Sequence, residues 1–210
     1  ATGRARHRSS QNCASDRRRV RAPRFAVATV VNAAGQPKPC SARLYEQYEE
    51  VLRVSVANEQ TSARIDTERV ERLATYVLLR EGIARLSELC ITFVGIDDMA
   101  DLNLRHMGYE GPTDVLAFPI DGVTLDEVEQ ADAPTLLGDV VICASVAAEN
   151  AQGNLNSYPG HEGSLSDEID LLVVHGVLHV LGRDHAEEQE RIEMQKVERS
   201  YLAAFREEQN

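Results

Sequence analysis

Cysteine is scarce and scattered in this chain. Its four residues, Cys13, Cys40, Cys90 and Cys143, form no C-x-x-C pair, which argues against both a thiolate zinc knuckle and a disulfide framework. A reducing compartment suits such usage. Long hydrophobic runs are missing too. The most apolar stretch, Ile169 to Leu181, is broken by Asp170 and two histidines and is too short to span a bilayer core of about 30 Å, so no membrane span is expected. Basic charge is short in the body of the chain: residues 1 to 24 hold eight Arg against Asp16, a net +7, and the rest carries −19 of the overall −12. An acidic body disfavours duplex binding by charge alone, because Lys and Arg on phosphates supply most of that affinity. Any nucleic-acid substrate would have to meet a local patch or the Arg-rich tail.

Apolar periodicity is absent through residues 1 to 48, which mix Arg, Ser, Ala and Pro. This segment is expected to be a disordered extension. Its Arg-rich, acid-poor composition also resembles an organelle transit peptide for plastid or mitochondrion, and an extended bacterial terminus or a misplaced start codon has the same look. The rest, 49 to 206, is long enough for one well-cored domain.

Within it, Val51 to Ala57 alternates at the period of a half-buried strand. Asp66 caps a helix to about Arg80 with an apolar stripe at Val70, Leu73, Ala74, Val77 and Leu78, and Gly82 stops it. Glu88 to Gly95 is a second strand, and Asp97 and Asp98 open a helix from Met99 to about Met107. Thr113 to Ile120 is a strand that Pro119 marks as an edge or a strand end. Asp121 to Ala133 is an acidic loop, Leu136 to Cys143 a strand, and Ser145 to Gln152 a helix. A polar loop over Gly153 to Gly163 leads to Ser166, read as the cap of a helix with Asp167 and Glu168 in its first turn. That helix is apolar nearly all round and belongs at the centre of the domain. The last helix, Glu187 to Arg206, turns Ile192, Val197 and Leu202 inward, and its acids form a solvated face. Four strands with helices between them place the domain in the α/β (α+β) class.

The central helix carries H-G-V-L-H-V-L-G-R-D-H, His175 to His185, with three of the chain's six histidines. His175 and His179 lie one turn apart on one face, close enough to share an ion. Gly182 can end the helix in a left-handed turn that brings His185 round as a third ligand. Three neutral imidazoles with an open fourth position are the pattern of a catalytic zinc site. The residue after the first histidine is Gly176, where zinc peptidases carry a Glu base. Peptidase chemistry by the usual route therefore lacks its base. A helix-interior Gly costs roughly 1 kcal/mol, which suggests that something needs room or close backbone approach there.

Together with G-P-T-D-V-L-A-F-P at Gly111 to Pro119 and L-L-G-D-V-V-I-C at Leu136 to Cys143, this motif resembles the YbeY family of single-strand-specific endoribonucleases. The resemblance covers about Val54 to Leu202 and implies a small mixed four-stranded sheet with helices packed around a central histidine-bearing helix. It implies His175, His179 and His185 as ligands of one zinc ion per chain and as the catalytic centre. It further implies single-stranded ribosomal RNA as substrate, a role in ribosomal RNA maturation and ribosome quality control, the small subunit or its proteins as partners, and a cytoplasmic setting. A metal there would act as a Lewis acid, with either water or the ribose 2′-OH attacking phosphorus. Many family members carry an Arg implicated in activity at the position of Met107, with Arg105 and His106 as partial substitutes here. A non-catalytic assembly factor with an architectural metal and, behind it, a metallopeptidase are the competing readings. Thr113 and Asp114 are candidates for lining the cleft or for turn chemistry alone, and Asp184 for holding a ligand imidazole or capping the turn. His161 and His7 are expected to be exposed, and Cys90 and Cys143 to be small core residues.

Overall fold

The computed structural model describes residues 52–83, 87–120, 135–183 and 187–209. The expected extension, the acidic loop and His7, Cys13 and Cys40 fall outside these residues, as do Asp184 and His185. In order, the elements are β1 (Leu52–Asn58), α1 (Thr67–Arg80), β2 (Ser87–Val94), α2 (Ile96–Met107), β3 (Val115–Pro119), β4 (Thr135–Cys143), α3 (Ala144–Asn150), α4 (Leu165–Val180) and α5 (Glu188–Glu207). The sheet runs β1-β2-β4-β3. Its first two pairings are parallel and β3 is antiparallel to β4, so the four-stranded sheet is mixed and β3 lies at an edge, as Pro119 required.

Strand alternation builds two apolar layers. Leu89, Ile91, Phe93, Val140 and Ile142 face the main core, where they meet α1, α4 and α5. Val94, Val141 and Cys143 point the other way, with Leu116 of β3, and pack against Met99 and Leu102 of α2. Cys143 is thus the core residue expected, whereas Cys90 is only half-buried. No helix among the described residues is long and apolar enough to cross a membrane.

Helix boundaries follow local chemistry, with two departures from expectation. The Asp66 carboxylate accepts the Arg69 amide at 3.0 Å and caps α1. Helix α2 starts three residues before Met99, because Gly95 serves as the extended cap and Asp97 and Asp98 sit inside the first turn, where their charge suits the helix dipole. Ser164, not Ser166, caps α4: its hydroxyl accepts the Asp167 amide at 3.2 Å while the Asp167 carboxylate accepts the Ser164 amide at 3.3 Å. This reciprocal pair needs an acid or amide three residues after the cap. Ser164 has one in Asp167, whereas Ser166 is followed there by Ile169.

Candidate metal centre

Helix α4 is buried on nearly every side. Its N-terminal half is tied down by two ion pairs, Arg69 forking onto Asp170 at 2.7 and 3.1 Å and Arg206 onto Asp167. Burial pushes the Asp170 carboxyl up against the pull of Arg69, while the hydrogen bond to Asp170 raises the Arg69 guanidinium. An acid so placed stabilises only while its partner stays.

Near the other end of this anchored helix, His175 and His179 are half-buried, with ring centroids 4.6 Å apart and planes at 67°. The expected pair is therefore formed. His175 Nδ1 lies 2.8 Å from Glu198 Oε1. Glu198 is only 5% exposed and comes from α5, whose acids were expected on a solvated face. The correction has a simple cause: Glu198 falls at core spacing between Met194 and Leu202, both buried, so the packing of α5 carries the acid inward. Of the apolar residues expected inward, Leu202 is buried, whereas Ile192 and Val197 are half-buried.

Gly176 faces the sheet. A Cβ built there would stand 2.5 Å from Val140 Cγ1 and 3.5 Å from Val115 Cγ2, which is the close approach its presence demanded. A side chain at 176 would point into the helix–sheet contact, so the peptidase base has no room at this position.

Gly182, at φ 80°, ends the helix as expected, its amide donating to the His179 carbonyl at 2.9 Å. Arg183 then forks onto Glu81 at distances of 2.8 to 3.2 Å, and Glu81 also accepts the Tyr201 hydroxyl at 2.7 Å. The chain thus leaves α4 from a turn fixed to both α1 and α5. His185, the third expected ligand, and Asp184 follow directly but lie outside the described residues. Among the described residues, no group of three or more His, Cys, Asp or Glu is arranged to hold a metal ion.

The remaining candidates sort clearly. Asp114 accepts the Val115 amide at 2.9 Å, the Thr113 hydroxyl at 3.1 Å and the Asn150 side-chain amide at 3.0 Å, and its carbonyl accepts the Cys143 amide. These bonds form the turn and tie β3 to α3. His161, expected to be exposed, is 1% exposed. Its Nδ1 accepts the Gly163 amide and its Nε2 meets Glu168 at 3.1 Å. Glu168 also accepts from Asn154, so the polar loop folds over a buried carboxylate that needs donors. Arg105 is engaged with Asp101 and the His106 ring stacks edge-on against Phe118 at 4.9 Å. Met107 ends α2, 49% exposed.

The site is thus a half-buried histidine pair on the central helix of an α+β domain, with a buried carboxylate against one of the two imidazoles. Residues 55–206 match the family model described as endoribonuclease YbeY. The endoribonuclease YbeY of Salinispora tropica is 44% identical over 160 residues, covering 74% of this chain and 97% of its own. That of Thermobifida fusca is 44% identical over 155 residues, 74% and 95% of the two chains. The solution structure of TM1509 from Thermotoga maritima overlaps 73% of this chain and 89% of that one, with TM-score 0.48 and 22% identity. On the family match and these relatives, the chain belongs to the endoribonuclease YbeY family.

Proposed function

We propose that this protein is a zinc-dependent endoribonuclease that cuts single-stranded ribosomal RNA in ribosomal RNA maturation and ribosome quality control. The observation that carries the reading is the imidazole pair of α4, with His175 turned onto a buried carboxylate, in a chain of an endoribonuclease family. The ligands in this reading are His175, His179 and His185, one ion per chain. The donor set fits zinc: half-buried imidazoles on a rigid element, one of them backed by a carboxylate, are what such an ion selects. When bound, zinc supplies Lewis acidity toward the scissile phosphate.

The contribution of the chain itself is positional. The ion pairs at the start of α4 and the Arg183 fork at its end hold the imidazoles against thermal motion, so little reorganisation is left for the reaction. Strand β3 pairs only with β4 among the described residues and packs against α4. Its outer edge presents backbone donors and acceptors along which an extended single strand can align. The acidic body disfavours duplexes. Free thiols at Cys90 and Cys143 suit a reducing cytoplasm, and small-subunit proteins are the natural neighbours of such a substrate.

The test is cleavage of one RNA oligonucleotide and of casein by the same zinc-loaded full-length chain, beside His179→Ala. Cut RNA, intact casein and loss of cutting in the variant are expected. RNA cleavage at full rate in His179→Ala overturns the site, and a 2′,3′-cyclic phosphate end identifies the ribose hydroxyl as nucleophile. Elemental analysis should find about one zinc per chain, lost as each ligand is replaced by Ala. A second reading, an assembly factor that binds RNA without cutting, is favoured by exposed Met107 and by the engagement of Arg105 with Asp101. Zinc and RNA binding without cleavage would establish it.

A further inference from the structure

We infer that Glu198 is a positioning residue for the metal site, setting which nitrogen of His175 is presented to the ion. The inference rests on the zinc reading above. A carboxylate is an acceptor only, so across the 2.8 Å contact the proton sits on Nδ1 of His175, which donates to Glu198 Oε1. A neutral imidazole with its proton on Nδ1 carries its lone pair on Nε2. The contact therefore selects the tautomer and stops the ring from flipping, two degrees of freedom that a histidine on an open helix face would otherwise keep.

The placement of the acid argues for this purpose over simple packing. Glu198 is buried between Met194 and Leu202 on the inward face of α5. A leucine or methionine there would stabilise the helix contact without removing a charge from water, a removal that costs several kcal/mol unless well paired. The partner found is not a permanently charged Arg or Lys but an imidazole of the proposed ligand set. Helix α5 begins at Glu188, three residues after His185, so the segment that follows the third proposed ligand is the one that carries this acceptor.

Three variants of the full-length chain separate positioning from packing: Glu198→Gln, which keeps the shape and an acceptor oxygen, Glu198→Asp, which withdraws it, and Glu198→Ala, which removes it. In the metal-free protein, the nitrogen-15 shifts of His175 should show a protonated Nδ1 and a bare Nε2 in wild type and Gln, and a mixture in Ala. Zinc competition against a chelator should give affinity lowered about 10- to 100-fold in Ala, with Gln and Asp between Ala and wild type. A packing role lowers the melting temperature while leaving the tautomer and the zinc affinity of the folded fraction unchanged, and that result overturns the inference. Wild-type protein that binds no zinc overturns the metal reading and this inference with it. Zinc affinity unaltered in a folded Glu198→Ala overturns the inference alone.

Discussion

Replacing Gly176 by Ala sets two well-known effects against each other at the centre of the molecule. In an exposed helix interior the change gains about 1 kcal/mol, because Gly loses more backbone freedom on folding. Here the new methyl would sit 2.5 Å from Val140 Cγ1 and 3.2 Å from Val140 Cγ2, where carbon pairs prefer about 3.5 to 4.0 Å. Val140 cannot yield cheaply: it is fully buried in the interior strand β4, and a β-branched side chain has few rotamers to choose from. The helix must instead lift from the sheet by up to roughly 1 Å, and overpacking of this kind costs about 1–3 kcal/mol. The steric term therefore wins, leaving a net loss of about 1 kcal/mol and a melting temperature lower by about 2–4 °C for a domain of this size. Calorimetry of Gly176→Ala, Val140→Ala and the double variant isolates the cause. Val140→Ala opens the space that a methyl at position 176 needs, so the double variant should be more stable than additivity predicts by about 1 kcal/mol or more. A Gly176→Ala protein that melts above wild type, or additive losses in the cycle, would refute the close-approach argument.

Asp167 predicts part of the acid limb of stability. Burial pushes its carboxyl up, but hydrogen bonds from Ser164 and the Glu162 amide, with Arg206 beside it, outweigh burial and hold it below the usual range. Its contribution is therefore present above the unfolded value of about 3.9 and is lost as pH falls through the lower folded value. In Asp167→Asn, the unfolding free energy from urea titrations should fall less steeply below about pH 4 and be lower at neutral pH by about 1 kcal/mol of capping energy; parallel curves for the two proteins would remove Asp167 from this account. Met107→Arg should raise single-turnover RNA cleavage by a few-fold to tenfold at low salt, since an exposed site tolerates the side chain and a guanidinium can hold a scissile phosphate. Loss of activity in a well-folded Met107→Arg would favour the assembly-factor reading.

Much of the fold was legible because its periods are strong. The stripe of α1, the alternation of the strands and the all-round apolarity of α4 each follow from single-element patterns, and Pro119 located the sheet edge. The imidazole pair was legible for the same reason, since spacing along one helix fixes which residues share a face. What stayed hidden depends on how one element docks on another. His161 looked like an exposed loop residue because nothing nearby in sequence announces that Glu168 would be buried and in need of donors. Glu198 looked solvated amid the other acids of α5. The signal was nonetheless present: an acid four residues from both Met194 and Leu202 is at core spacing, and a carboxylate at core spacing needs a named partner.

The direction of each side chain on α4 also bears on which reaction the site can serve. Position 176 is the one from which a zinc peptidase supplies its carboxylate base, and here that direction is filled by Val140 and Val115. The carboxylate that does reach the histidine pair, Glu198, comes from α5 and meets Nδ1 of His175, which would leave Nε2 for the ion of the proposed site. Buried and engaged there, it can orient a ring but is poorly placed to take a proton from an attacking nucleophile, because a general base must come within about 3 Å of the proton it removes. Peptide hydrolysis by the usual zinc route asks for that base. Phosphodiester cleavage at a metal asks chiefly for charge stabilisation and alignment of the scissile group, which the proposed ion on the α4 imidazoles, beside a strand that pairs only with β4 among the described residues, would provide. The same two contacts, Val140 against Gly176 and Glu198 against His175, thus support the nuclease reading over the peptidase one without appeal to the family match.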